Sequence, residues 1–90
     1  MSVRATVTIV NERGLHARAS AKFVKLASGF DAEVQVSREG QSVDARSIMG
    51  LMMLAAGIGS KVEISAEGPE AEAAMEALCA LIANRFDEER

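Results

Sequence analysis

The sequence is poor in the residues on which nucleic-acid-binding surfaces depend. Its 90 residues contain no tryptophan or tyrosine, and its three phenylalanines fall in predicted helical segments or at their ends. No predicted strand therefore offers the aromatic platform of an RNA-binding sheet. The net charge is −3 and no basic run occurs, so the chain lacks the electrostatic signature of a nucleic-acid-binding protein. We expect no nucleic-acid partner.

The sequence also lacks a long hydrophobic run and a second cysteine. Its longest apolar stretch, Ile48 to Ile58, is interrupted by two glycines and is too short to span a membrane, which takes roughly 20 residues. We expect no signal peptide before the first predicted strand. Cys79 stands alone, which excludes an intrachain disulfide framework, and its place on an apolar helical stripe predicts a small buried side chain. These features predict a cytoplasmic protein that does not insert into membranes.

What the chain does contain is a high apolar content in a short length. Ninety residues that are 49% apolar predict one compact domain over residues 1–90, with a modest core. Such a domain has little room for a separate catalytic cleft, which favours a carrier or binding role over an enzyme. No metal-ligand cluster or nucleotide-binding loop is visible, so we expect neither a metal nor a cofactor.

Alternating apolar residues predict four strands. Three lie at about residues 3–9, 32–37 and 61–66, and a short, weakly hydrophobic one around Ser42 and Val43 suits a sheet edge. Together with three helical patterns they give the order β-α-β-β-α-β-α. This order predicts an α+β open-faced sandwich, in which helices cover one face of an antiparallel sheet.

The three helices have recognisable ends. The first is expected to begin at His16 and to run to about Ser28, and the second is expected over Ser47–Ala56. Gly29 and Gly57 are the expected left-handed stops of these two helices, and Gly68-Pro69 is expected to open the third. The segment after residue 87 is expected to be a frayed terminus.

The single histidine, His16, precedes the first amphipathic helix. A helix N-terminus carries unpaired backbone N–H groups and the positive end of the helix dipole, which together attract anions such as phosphate. Arg18 adds a fixed cation. A neutral imidazole is a good nucleophile towards phosphorus, and the guanidinium with the backbone N–H groups of Ala17 and Arg18 would hold the phosphoryl group. The pattern predicts a phosphohistidine, although a surface or capping histidine fits the residue type equally well.

Two motifs resemble those of a known family. Gly14-Leu15-His16-Ala17-Arg18 resembles the active-site motif of the HPr phosphocarriers of the bacterial phosphotransferase system, and Ser47-Ile48-Met49-Gly50-Leu51-Met52 resembles their regulatory-serine motif. The resemblance covers essentially the whole chain in length, spacing and order of elements. One residue departs from it: the family usually has a proline after the arginine, where this chain has Ala19, so the first helical turn is less rigidly preset.

The resemblance implies a phosphoryl carrier that is a substrate of enzymes rather than an enzyme. It implies that Nδ1 of His16 accepts a phosphoryl group from a phosphoenolpyruvate-dependent enzyme I and passes it to an acceptor of the enzyme IIA type. It also implies a monomer, whose four-stranded antiparallel sheet has strands one and four at its centre. Sugar transport and nitrogen-linked regulation both use such carriers, and Ala19 and the segment Met52–Ala56 favour the regulatory branch.

Ser47 and the apolar helix after it allow more than one role. The serine is expected to cap the helix, and the resemblance adds phosphorylation by an HPr kinase/phosphorylase. The helix is apolar nearly all round, so part of it should stay exposed for partners. The expected docking residues are Ala19, Ile48, Met49, Leu51 and Met52.

Charged residues around the motifs suggest how a partner is attracted. A basic face, made of Arg13, Arg18, Lys22, Lys25 and Arg46, is expected to steer an acidic partner. The alternative function is an adaptor domain that is not phosphorylated and binds proteins through its second helix. In that case His16 would only cap the first helix.

Overall fold

A computed structural model describes residues 2–90. The strands are β1 (Ser2–Thr8), β2 (Glu33–Arg38), β3 (Gln41–Asp44) and β4 (Lys61–Glu67). The helices are α1 (Ala17–Ala27), α2 (Ile48–Met53) and α3 (Ala71–Ala83), and a short 3₁₀ helix follows at Arg85–Asp87. The predicted α+β class and element order are confirmed. Within residues 2–90, no helix has the length and apolar character needed to cross a membrane.

The four strands form one antiparallel sheet in the order β1-β4-β2-β3. The expectation that strands one and four share the centre is wrong for β1, because β1 pairs with β4 alone and forms an edge. Its inward residues Val3, Ala5 and Val7 are only partly buried, as an edge position allows. The centre consists of β4 and β2, and β3 forms the other edge as predicted.

One face of the sheet carries the core. Ile64 of β4 lies beside Ala5 of β1 and Val36 of β2, and its side chain is fully buried beneath the helices. The opposite face is polar and open to solvent, which gives the two-layer architecture that alternation in the strands predicts. Cys79 of α3 is half-buried rather than buried, and desolvation raises the pKa of its thiol.

Two predicted helix ends differ in the structure. The helix α2 stops at Met53, and the left-handed residue after it is Ala55, with a φ of 53°, not Gly57. Leu54 remains buried in the core, which forces the chain to turn before it reaches the glycine. Gly29 also lacks a positive φ. The backbone stays right-handed at the end of α1, where Gly29 N–H donates a hydrogen bond of 3.1 Å to the Leu26 carbonyl. Pro69 lies outside α3, before its N-cap Glu70.

The C-terminal segment is ordered against the body, so the expectation of a frayed terminus is wrong. Arg85, Phe86 and Asp87 all have positive φ, and this turn buries the Phe86 ring completely in the core. The Nζ of Lys22 donates a hydrogen bond of 2.7 Å to the Phe86 carbonyl. The Phe86 side chain and this bond hold residues 85–87 beside α1. Farther along, the Arg90 carbonyl accepts a hydrogen bond of 3.0 Å from Glu12 N–H, so the last residues lie against the loop before α1.

Candidate functional site

The loop between β1 and α1 is held in place by the segment after α2. Gly14 has a φ of +64°, and a Cβ at this position would lie 2.3 Å from the Ala56 carbonyl oxygen. Only glycine permits this approach at that backbone angle. The next residue, Leu15, is buried and donates its backbone N–H to the same Ala56 oxygen at 3.0 Å. The loop therefore delivers the chain to the start of α1 in a fixed direction.

His16 is the N-cap of α1. Its backbone is extended, with φ −74° and ψ 178°, and its carbonyl accepts the first helical hydrogen bond from Ser20 N–H at 2.8 Å. The N–H groups of Ala17 and Arg18 lie in the first turn, where no helical carbonyl precedes them. Among residues 2–90, the imidazole makes no capping hydrogen bond, so the interpretation of His16 as a side-chain cap is not supported.

The imidazole is instead bound to the C-terminal segment. Its Nε2 forms a hydrogen bond with Oε2 of Glu88, and the other oxygen, Oε1, accepts from Nδ2 of Asn11 at 3.0 Å. Asn11 is fully buried, and the same amide nitrogen donates to the Gly14 carbonyl at 2.9 Å. The His16 side chain is thereby reduced to 23% exposure and that of Glu88 to 16%. His16 is therefore not the freely exposed side chain that its helix-end position suggests.

Glu88 is ionised at neutral pH. Its partial burial alone would raise the pKa, but the hydrogen bonds from His16 and Asn11 and the positive charges of His16 and Arg13 outweigh that effect. The pKa of the Glu88 carboxyl accordingly lies below its ordinary value. The site thus contains a carboxylate on one side of the histidine ring and cations nearby.

A cleft of about 530 Å³ opens beside the ring. Its lining is of mixed charge. The cations are Arg13, Arg18, Lys22 and Arg90, the acidic side chains are Glu12, Asp87, Glu88 and Glu89, and Arg18 is exposed to solvent. An anion at the start of α1 would meet the N–H groups of the first turn and the Arg18 guanidinium together, an arrangement suited to a phosphoryl group. Within residues 2–90, no three metal-ligating side chains lie together.

Sequence reasoning finds His16, Ala17 and Arg18 at this site but misses Asn11 and Glu88. Asn11 reads as an ordinary loop residue, since its burial comes from the packing of distant segments. Glu88 is 72 residues from His16 along the chain, and no local pattern signals the contact. The one local signal is the apolar Phe86 in an otherwise polar tail, which indicates that the C-terminal segment packs against the core.

In the second motif, which begins at Ser47, the predicted helix cap is present. Ser47 is the N-cap of α2, and its Oγ accepts a hydrogen bond from Gly50 N–H at 3.0 Å. The exposed apolar residues that follow it define an apolar patch, made of Ile48, Met49, Met52 and Met53. Met53, which the sequence analysis did not single out, is 65% exposed.

Two predicted docking residues do not belong to the apolar patch. Leu51 and Ala19 are completely buried, because α2 turns Leu51 into the core and α1 packs Ala19 against the body of the protein. Arg46 is also not part of a free basic face. Its guanidinium pairs with Glu33 at 3.3 Å and with Asp44 at 3.4 Å.

Local hydrogen bonds shift the pKa values of Arg46 and Asp44. The backbone N–H of Arg46 donates to Asp44, which lowers the pKa of that carboxyl, and the carboxylate in turn raises the pKa of Arg46. The free cations near His16 are therefore those of the loop and of α1.

The geometry agrees with comparisons to known proteins. A family model described as "PTS HPr component phosphorylation site" matches residues 3–84. The chain is 62% identical over 81 residues to phosphocarrier protein HPr of Cupriavidus necator, covering 90% of this chain and 91% of that protein. It is 45% identical over 82 residues to phosphocarrier protein NPr of Shewanella violacea, covering 91% and 90%. A crystal structure of HPr from Thermoanaerobacter tengcongensis superposes with a TM-score of 0.93 at 43% identity, covering 98% of this chain and 99% of that one.

Proposed function

The chain belongs to the HPr family of phosphotransferase-system phosphocarriers, and we propose that His16 is the residue on which it carries the phosphoryl group. As a member of that family the protein is a carrier and not an enzyme. The observation that supports His16 most directly is its place at the N-cap of α1, where Nδ1 has no hydrogen-bond partner among residues 2–90.

The proposed transfer needs little chemistry from this chain. The lone pair of Nδ1 attacks phosphorus, the P–N bond forms, and the bond from phosphorus to the donor breaks with its electron pair leaving on the donor. Arg18 and the N–H groups of Ala17 and Arg18 stabilise the oxygens of the transferring group. The partner supplies the rest of the positioning.

Family membership implies interaction with enzymes of the phosphotransferase system. We propose a phosphoenolpyruvate-dependent enzyme I as donor and an enzyme IIA-type protein as acceptor. The apolar patch supports docking of both, because methionine side chains adapt to differently shaped surfaces. The acceptor decides between a sugar-transport and a nitrogen-regulatory branch, so transfer from the labelled carrier to purified acceptors of each type is the measurement that assigns the branch.

The phosphorylation assay tests His16 directly. Incubation with phosphoenolpyruvate and enzyme I should add one acid-labile phosphoryl group to the wild-type protein and none to His16→Ala. The Arg18→Gln variant should retain the site but accept more slowly. A phosphorylated His16→Ala protein, or a wild-type protein that stays unmodified beside an active enzyme I, would contradict the proposal. In the second case, capture of partner proteins by the apolar patch without phosphorylation would favour the adaptor function.

We propose Ser47 as a second, regulatory phosphorylation site for an HPr kinase/phosphorylase. A phosphate there would lie at the start of α2, directly before Ile48 and Met49 of the apolar patch, so it would weaken docking without unfolding the helix. Ser47→Asp should be as stable as the wild type yet be phosphorylated more slowly on His16 than Ser47→Ala at matched folded fraction. Equal rates for the two variants would leave Ser47 as a cap only.

We further propose that residues 1–90 form one domain that acts as a monomer in the cytoplasm, without binding nucleic acid or inserting into membranes. One cluster of buried side chains drawn from all three helices supports the first point. The lone Cys79 suits a reducing compartment, where disulfides are rare. Light scattering during gel filtration tests the oligomeric state, and a mass twice that of the chain would refute it.

A further inference from the structure

Among residues 2–90, the His16 ring has one hydrogen-bond partner. That partner is the Glu88 carboxylate, which binds Nε2 of the ring. The proposed phosphoryl acceptor is the other nitrogen, Nδ1. The carboxylate therefore stands on the far side of the ring from the reacting atom, rather than in the place of the phosphoryl group. Its other oxygen is fixed by the buried amide of Asn11, so the carboxylate cannot rotate freely.

The chemistry of the two groups determines the position of the ring proton. An ionised carboxylate can only accept hydrogen bonds, so Nε2 must be the donor. A neutral imidazole has one ring proton, and with that proton on Nε2 the lone pair is on Nδ1. The lowered pKa of Glu88 keeps the carboxylate ionised throughout the neutral range.

We propose that Glu88 is a positioning residue for phosphoryl transfer, which holds His16 in the Nε2–H tautomer and so presents Nδ1 as the nucleophile. This inference rests on the proposed role of His16. It assigns Glu88 the part that a buried carboxylate plays towards histidine in hydrolases and metal sites. Asn11 supports it by fixing the second carboxylate oxygen.

Glu88 also acts during the transfer itself. When Nδ1 attacks phosphorus it has no proton to lose, and the ring gains a positive charge as the P–N bond forms. That charge is shared with Nε2–H, which points at the carboxylate, so Glu88 stabilises the phosphorylated imidazolium. When the phosphoryl group leaves for an acceptor, the electron pair returns to Nδ1 and the ring is again neutral with its proton on Nε2.

The first experiment measures the tautomer without any partner protein. Nitrogen-15 NMR of the imidazole in alkaline buffer, where the ring is neutral, should show essentially pure Nε2–H tautomer in the wild type. Glu88→Ala should show a mixture of both tautomers, and Glu88→Gln, which keeps one acceptor oxygen but loses the charge, should lie between them. Glu76→Gln removes the same charge from the exposed side of α3, and this control should match the wild type.

The second experiment measures phosphorylation of the same four proteins by enzyme I and phosphoenolpyruvate. The rate should fall by roughly 10- to 100-fold in Glu88→Ala, by analogy with the loss found when the hydrogen-bond partner of a metal-bound histidine is removed. Glu88→Gln should lose less, and Glu76→Gln should keep the wild-type rate. Thermal unfolding shows that the compared proteins are folded.

Three results would overturn the proposal. A wild-type tautomer in Glu88→Ala would mean that the carboxylate does not set the proton, whatever the rate. A faster rate in that variant would mean that the tail shields the ring. A mixed tautomer with an unchanged rate would mean that positioning by Glu88 does not limit transfer. If the wild type accepts no phosphoryl group, the proposed function fails, while the NMR measurement still decides whether Glu88 fixes the ring proton.

Discussion

Asn11 and Glu88 show how single residues far apart in the chain form one site. The side-chain amide of Asn11 joins the loop, through the Gly14 carbonyl, to the tail, through the Glu88 carboxylate. The motif around His16 and Arg18 could be predicted, because helix-end chemistry depends on neighbours in sequence. The Asn11–Glu88–His16 chain of hydrogen bonds could not, because it depends on how the two ends of the chain meet.

Replacing Asn11 should destabilise the protein. Asn11→Ala leaves the buried Gly14 carbonyl without its donor, and one unsatisfied buried group costs about 1–3 kcal/mol. Urea unfolding should show a loss of that size. Asn84→Ala is the control, since its exposed amide hydrogen-bonds only to Asp87 within residues 2–90, and it should change the free energy of unfolding by less than about 0.5 kcal/mol. Equal losses in both variants would refute the structural role of Asn11.

Glu88 should also contribute to the pH dependence of stability. Because its folded-state pKa lies below the ordinary value of 4.5, its contribution is present above that pH and is lost as the pH falls through the lowered value. The stability gap between wild type and Glu88→Gln should therefore persist down to about pH 4.5 and then close. Urea unfolding at a series of pH values measures the gap, and one that stays constant into strong acid would contradict the lowered pKa.

At the scale of elements, the junction between the loop and the end of α2 determines where α1 begins. The strands and helices could be placed from periodicity, but the turn that ends α2 could not. Glycine at position 57 is the expected left-handed residue, yet Ala55 takes that conformation. Burial of Leu54 in the core outweighs the local preference of the backbone, and the early turn brings the Ala56 carbonyl to Gly14 and Leu15.

A methyl group at Gly14 should disrupt this junction. Gly14→Ala combines a positive φ with a Cβ that would lie 2.3 Å from the Ala56 oxygen, so we expect a loss of about 2–5 kcal/mol. Gly40→Ala is a matched control, because its φ is also positive but nothing lies within 4 Å of the added Cβ. It should cost only about 1–2 kcal/mol. Denaturant unfolding compares the two, and similar losses would mean that contact at Gly14 is unimportant.

The whole molecule has an uneven distribution of charge. Cations of the loop and of α1 lie near His16 together with carboxylates of the loop and the tail, whereas the charged residues of α3 are Glu72 and Glu76, both exposed, in a chain whose net charge is −3. The clustering near the motifs could be predicted from sequence, but the pairing of Arg46 could not. The same holds for strand order, since alternation shows that a segment is a strand without showing which strand is its neighbour.

Charge steering should appear in the rate of association with an acidic partner. Arg18→Gln should slow association with enzyme I by about two- to tenfold at low ionic strength. The difference should vanish near 1 M salt, where the screening length is about 3 Å. Arg4→Gln removes the same charge from the open face of the sheet, so it should have little effect. Stopped-flow kinetics across a salt series measures both variants, and equal effects would mean that net charge alone matters.

The path of the last six residues determines where a label can be attached. The carbonyl oxygen of Arg90 accepts a hydrogen bond of 3.0 Å from the backbone N–H of Glu12, so anything joined after Arg90 emerges beside the loop that leads to His16. Ser2 lies at the opposite end of β1 from this loop, and the seven-residue strand is about 20 Å long at roughly 3.3 Å per residue. A purification tag or fluorophore placed after Arg90 would stand beside His16, where the proposed donor approaches, and should alter the contact between Glu88 and the imidazole. The same group placed before Ser2 leaves that approach open, so binding constants from the two fusions should differ even though their sequences are otherwise identical.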